Sequence, residues 1–367
     1  MSGMDIDRIV GIASDLLAIP STADRPAEVR RALDFVLDIA GPGFTVERFE
    51  SAGKPSALIY AGPLRQHFRI ILNAHVDVIP AGPDQFRPRI DGRRLYARGA
   101  QDMKVSALVQ TMVFRELAAV VPYSLALQLV TDEEVGGRHG TLHQIQQGVS
   151  ADFVVIGEYS ALNVVTQSKG MIVAVLRAEG LAAHSAYPWL GDNALIKLHD
   201  TLSKLLASYP VPTLEAWQTT MNIARIDTPN EAYNQVPAQA AALIDIRFPP
   251  EDQALSGKTV AEITAHLASF CEPGVTATVQ QASPPHHARA DRAEVGSLRA
   301  AAERFGYRSQ LLRRHGASDG RYYSQQGTDA VLFGIDGHGQ HSADEYADIG
   351  SILAYYGALK EFLNAPW

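Results

Sequence analysis

Five short segments of this chain each follow an apolar run with residues able to bind a metal. ILNAHVDVIP (71–80) carries Asn73, His75 and Asp77, and RGAQDMK carries Asp102. TDEEVGG carries Glu133 and Glu134, IGEYS carries Glu158, and GQHSADEY carries His341. Imidazoles and carboxylates together are a borderline-hard ligand set, suited to zinc, cobalt or manganese. Each residue alone has an ordinary explanation as a helix cap or a turn former. For His75 with Asp77 that explanation is a hydrogen-bonded pair in the core. What favours chemistry is the recurrence of such residues at the ends of successive strands.

The elements that must position them can be read from patterning. Strand side chains alternate, so Asn73, His75 and Asp77 share one face and Ala74, Val76 and Val78 the other. A polar face on a buried strand is costly unless its groups are paired or bind something. The spacing predicts helices over 5–19 and 27–39, then strands at 44–49, 56–61 and 68–73. A helix follows Asp102 from Met103 to Ala119, and strands are expected at 124–130 and 152–158. Alternating strands and helices imply a layered α/β sheet, whose site forms beyond the strand carboxyl ends.

The pattern changes after Thr166. A strand at 170–180, a helix from Asp192 or Asn193 to Ser208, and strands at 218–226 and 237–247 follow. A helix at 259–270 and a strand at 275–281 complete a small α+β sandwich inserted into the first domain. SPPHHARAD (283–291) reads as the return linker. A helix at 292–305, a strand at 330–335 and a helix at 348–363 then rejoin the first domain. The expected division is 1–167 with 283–367, and 168–282 as the insert.

Composition narrows the function classes. A chain of 367 residues, 46% apolar and 20% charged, has room for a large core and fits a globular protein. Its net charge of -8 gives no basic footprint for nucleic acid. No apolar stretch reaches the roughly 18–20 residues of a membrane span. The start, MSGMDIDRIV, is acidic where a signal peptide is basic. With Cys271 as the only cysteine, an internal disulfide and a thiolate zinc site are excluded. The expectation is a cytoplasmic protein whose metal is held by His, Asp and Glu.

In order along the chain, HVDVIP, ARGAQDMK, TDEEVGG, GEYS and QHSADEY resemble the motifs of the M20 metallopeptidases. That family includes acetylornithine deacetylase, succinyl-diaminopimelate desuccinylase and carboxypeptidase G2-like enzymes. The resemblance runs from about residue 6 to 360. It implies a zinc-peptidase-like three-layer catalytic domain carrying an inserted lid, or dimerisation, domain. It also implies two divalent ions, zinc first, with cobalt or manganese as alternatives. His75, Asp102 and Glu158 match the ligands of one ion; Glu134, His341 and again Asp102 match those of the other. Glu133 matches the general base that takes a proton from the attacking water, and Gly136 and Gly137 allow the turn after it. Asp77 stands behind His75, where a carboxylate on the far imidazole nitrogen fixes the tautomer. A cis peptide is implied after Asp102.

GLAAHSAYPWLGDNAL resembles the family's lid motif. There His184 would reach the active site of a partner subunit and donate to the developing oxyanion. Asn234 in NQVP and Arg247 in DIRF match lid positions that contact substrate, and Arg is suited to a bidentate carboxylate. GASDGRYY (316–323) resembles the desuccinylase substrate loop and brings in Ser318. Several positions depart from the pattern: Ala74 and Val105 stand for glycines, Tyr159 for the proline of GEP, and Ala317 for the threonine before the serine. The lost hydroxyl at Ala317 argues against a succinyl substrate.

The expected activity is hydrolysis of the amide of a small N-acyl amino acid by a di-metal homodimer. A dipeptidase or carboxypeptidase using the same site is the alternative within the class. Outside it stands a metal or ligand binder without catalysis, which needs neither Asp77 nor Glu133.

Overall fold

The computed structural model describes residues 6–367, which fall into two compact units. The first comprises chain up to Thr166 with His287–Arg313 and Ser318–Trp367; the second comprises Gln167–His286 and Arg314–Ala317. The first helix is Ile6–Leu17. Residues 1–5, which include the start of the expected helix and of the acidic segment MSGMDIDRIV, lie outside the described residues.

The first unit is built on a mixed sheet. Its strands run in the order Thr45–Ser51, Lys54–Tyr60, Leu125–Val130, His67–His75, Ser150–Ile156 and Asp329–Leu332. His67–His75 pairs in parallel with Leu125–Val130 on one side and Ser150–Ile156 on the other, and Asp329–Leu332 continues the parallel set. These inner strands are near-continuous apolar runs because both faces are covered. Thr45–Ser51, at the edge, alternates between half-buried and exposed residues. Ile59, Ile70, Leu72, Ala74, Leu127 and Val155 point into one core with the long helices. Leu58, Tyr60, Ile71, Ala126, Val154 and Ile156 point into a second core on the opposite face, with Tyr323. Helices on both sides of the sheet make three layers.

The helix Lys104–Leu117 is buried along nearly its whole circumference. It packs against the sheet and against Ile6–Leu17, Pro26–Ala40 and Ile349–Leu363. Such a helix has no polar stripe to give its period away, and Asp102 sits immediately before it. Proline at the start of Pro26–Ala40 and the Asp348 side chain, which accepts from Ser351 N, begin two of its neighbours.

The second unit is a four-stranded antiparallel sheet in the order Thr220–Asp227, Gln239–Phe248, Gly170–Glu179 and Val275–Ser283. The helices Ala194–Ser208 and Val260–Ala268 pack on it. Asn193 caps the first by accepting from Leu195 N and Ile196 N, and Thr259 with Glu262 forms a capping box on the second. No helix among the described residues is long and apolar enough to cross a membrane.

Some structure was not expected. A small sheet joins Arg89–Asp91, Arg94–Tyr96, Tyr346–Asp348 and Gly337–His338, and short helices lie at Thr141–Gln146 and Gly320–Gln325. Elements of a few residues give no readable period.

Candidate metal centre

The parallel strands deliver the site. His75 ends its own strand; Glu133 and Glu134 follow Leu125–Val130 by a few residues; Glu158 follows Ser150–Ile156. Parallel strands end along one edge of the sheet, so these side chains meet there. His75 Nε2 lies 3.2 Å from Asp102 Oδ1 and 3.4 Å from Glu158 Oε1. His341 Nε2 lies 3.1 Å from Glu134 Oε2 and 3.5 Å from Asp102 Oδ2. Two groups of potential ligands therefore form, His75–Asp102–Glu158 and Asp102–Glu134–His341, with Asp102 in both. The Asp102–Met103 peptide is cis.

A metal ion fits these residues, and His75 provides the test. Its Nδ1 is 3.0 Å from the carbonyl oxygen of Asp77, an acceptor, so that nitrogen carries the proton and donates. Nε2 then aims at two carboxylate oxygens inside a site only 2–5% exposed. A lone pair facing two anions is repulsive unless a cation lies between them or the ring is fully protonated. Burial works against the imidazolium, yet Asp102, Asp77 and Glu158 hold its pKa well above the ordinary value. Both facts express one demand for positive charge. Glu134 repeats it, because its Oε1 is buried with no hydrogen-bond partner.

The surrounding acids are perturbed in the same sense. Burial, then the charges of Asp319 and Glu158, push the Glu133 carboxyl well above its usual range. Burial also raises Glu134, against a hydrogen bond from His341, and raises Asp319, against Arg321. His341 is pushed up to about 10 by Asp102 and then Glu134. Adding a divalent cation lowers the energy of all these carboxylates together.

Asp77 departs from the expected geometry. It was placed on the strand face of His75 with its carboxylate on the ring, but the strand stops at His75. The backbone carbonyl of Asp77 takes the closer place, and the carboxylate oxygen stands 3.5 Å from Nδ1. The carboxylate also accepts from the backbone N–H groups of Glu133 and Glu134, at 3.3 and 3.1 Å. One residue thus anchors the histidine and the acidic turn. Asn73, on the same strand face as His75, serves a different purpose. It donates to Gln128 and Thr141 in a buried polar network beneath the site.

The other expected residues are placed as follows. His184 and Asn234 are exposed on the second unit, on neighbouring segments joined by Ser185 N to Asn234 O and a bridge between His184 and Gln235. Arg247 is held bidentately by Asp245, at 2.6 and 3.0 Å, because residues two apart on a strand share a face. Ser318 is buried, at 1% exposure. The residues after it brace the acidic turn. Arg321 Nη2 donates to Gly136 O at 2.8 Å, and Asp319 lies so close that a Cβ on Gly137 would come within 2.0 Å of its Oδ1.

Sequence reading missed Glu345, which is 1% exposed. Its Oε1 accepts the N–H groups of Gly99, Gln101 and Asp102 at 3.0, 3.0 and 3.1 Å, and its other oxygen pairs with buried Arg98. It shapes the loop that presents the shared aspartate. The signal for it was its place in the GQHSADEY segment, four residues after His341.

The layered α/β fold and this paired cluster define a metal-dependent hydrolase of C–N bonds. Residues 71–365 match Peptidase family M20/M25/M40, and the chain belongs to that family. A succinyl-diaminopimelate desuccinylase of Rhodospirillum centenum is 30% identical, over 96% of both chains. One from Gluconobacter oxydans is 28% identical, over 94% of this chain and 93% of that protein. Among solved structures, a tripeptidase from Staphylococcus aureus superposes with a TM-score of 0.77 at 18% identity, covering 99% of each chain. An M20 family metallo-carboxypeptidase from Sulfolobus solfataricus gives 0.74 at 17% identity, covering 98% of this chain and 99% of that one. At such identities these structures speak to the fold.

Proposed function

We propose that this protein is a cytoplasmic amidohydrolase that releases the amino acid from a small N-acyl amino acid. The observation supporting this is Asp102, shared between two clusters that each add a histidine and a glutamate. Two divalent ions, zinc in this reading, would be held by His75, Asp102 and Glu158 and by Asp102, Glu134 and His341. Such ions polarise a carbonyl and acidify a water molecule.

The chain's own groups supply the rest. Asp77 fixes the His75 tautomer through its carbonyl and holds the N–H groups of Glu133 and Glu134 through its carboxylate, which keeps base and ligand in register. Glu133 takes the proton of the attacking water and passes it to the leaving amine. Arg247 exchanges Asp245 for a substrate carboxylate, with Asn234 and Ser318 as further contacts. His184 donates to the oxyanion from a partner subunit, which makes the working enzyme a homodimer. Ala317 supports an acyl group other than succinyl.

The test has two parts. Glu133→Gln should keep its metal while hydrolysing at least ~10²-fold more slowly, the usual scale for a general base. A near-normal rate in that variant sinks the assignment. A panel of acetylated and succinylated amino acids and dipeptides then fixes the substrate class; turnover of dipeptides alone makes the protein a peptidase. Metal binding without turnover of any of them makes it a binder.

A further inference from the structure

We infer that Tyr159 and Gln340 form a positioning pair that sets the shared carboxylate for the second cluster. Asp102 must serve two groups of ligands with two oxygens. Oδ1 faces His75, and Oδ2 faces His341. Oδ2 also receives a hydrogen bond from Gln340 Nε2 at 2.5 Å. A carboxylate only accepts, so the amide nitrogen must face it and the amide oxygen must point away. That oxygen accepts the hydroxyl of Tyr159. The polarity of the relay is fixed from end to end: Tyr159 O–H to Gln340 Oε1, then Gln340 N–H to Asp102 Oδ2.

Its two members are neighbours of ligands. Tyr159 directly follows Glu158 of the first cluster, and Gln340 directly precedes His341 of the second. The relay therefore links the loop holding one cluster's glutamate to the loop holding the other's histidine, through the acid they share. The two clusters differ in how much they need such help. His75, Asp102 and Glu158 are buried at the sheet edge, whereas His341 is 44% exposed. The amide adds a restraint on the Oδ2 side of the Asp102 carboxylate, beside the one His75 supplies at Oδ1, and so favours the terminal torsion that keeps Oδ2 on the second cluster. A carboxylate has lone pairs to spare, so the amide can hold one while a metal takes another. Tyr159, which stands where the family pattern has proline, is this chain's means of fixing Gln340.

The inference rests on the reading that both clusters take a metal, and metal affinity itself tests it. Metal-free full-length protein is titrated with Zn²⁺ against a chromophoric chelator, and with Co²⁺ followed by visible absorption. Gln340→Leu should weaken the second ion by about 10- to 100-fold, the usual cost of losing a hydrogen-bond partner behind a ligand, and leave the first unchanged. Tyr159→Phe, which keeps the ring and the amide, should weaken the second ion by less. A second ion bound as tightly as in wild type, or more tightly, in both variants overturns the pair. Equal weakening of both ions in both variants, with unchanged melting of the metal-free proteins, also overturns it. Wild-type protein that takes one ion or none refutes the two-metal reading itself, which is a separate result.

Discussion

Replacing Glu345 by glutamine tests whether a residue that binds neither metal nor substrate governs the centre. The side chain is enclosed, one oxygen accepting three backbone N–H groups of the loop Gly99–Asp102 and the other facing Arg98, itself 3% exposed. An amide of the same shape can still offer its oxygen to the three N–H groups. Its NH₂ must then face the guanidinium, donor against donor, and a buried charge is left without a counterion. Burial, with the charge of Asp102, pushes the Glu345 carboxyl up despite Arg98, so the pair as a whole need not favour folding. Breaking half of it is another matter and costs about 3–5 kcal/mol. Against a total stability of about 5–15 kcal/mol, that is a large fraction. We expect urea unfolding of metal-free Glu345→Gln to show this loss, and hydrogen exchange at residues 99–102 to accelerate. Metal affinity should fall at both clusters, because Asp102 belongs to both. Adding Arg98→Met should recover part of the stability. A destabilisation below ~1 kcal/mol with unchanged metal affinity would refute the reasoning, since the ion-pair term alone exceeds it.

Other outcomes follow from single sites. Gly137 has φ +64° and lies against Asp319, so Gly137→Ala should disturb the acidic turn, costing about 1–3 kcal/mol and lowering turnover; normal kcat and melting would contradict this. Chelation should lower the melting temperature, because an ion at 100 times its Kd adds about 2.7 kcal/mol to the folded state; calorimetry with and without Zn²⁺ reads it, and identical melts would argue against native-state binding. Asn193→Ala removes the cap of Ala194–Ser208 and should cost about 1 kcal/mol in the second unit's unfolding, leaving metal content unchanged.

Much of this was legible because the residues of the two clusters stand as polar groups at the ends of apolar runs. His75, Asp102, Glu134, Glu158 and His341 converge as their order and strand positions implied. The polar face read at Asn73 and His75 is also present, although its residues divide between a core network and the centre. What stayed hidden is long-range. Glu345 lies in the GQHSADEY segment but 243 residues from the Asp102 N–H it accepts, and nothing local points to that partner. Asp77 lies past the strand's end, where its backbone carbonyl comes closer to the ring than its carboxylate, which still stands 3.5 Å from Nδ1. Lys104, in the first turn of the helix after Asp102, is fully buried, with Nζ donating to Leu16 O and Ile19 O and its pKa lowered by burial to about 7. Charge at such a position signals burial only when the surrounding elements are known.

The helix Lys104–Leu117 has a kinetic consequence. A ligand on a mobile loop can let an ion go by local fraying, at little cost. Asp102 is joined through Met103 to a helix buried along nearly its whole circumference, so its backbone can move away only when the interior of the first unit loosens. If both clusters take an ion, as proposed, release of an ion held by Asp102 would be slowed wherever it needs such an opening. An ion so held should exchange with solution on the time scale of amide protons in that helix, and isotope exchange from protein loaded with Zn²⁺ would time the breathing of the core.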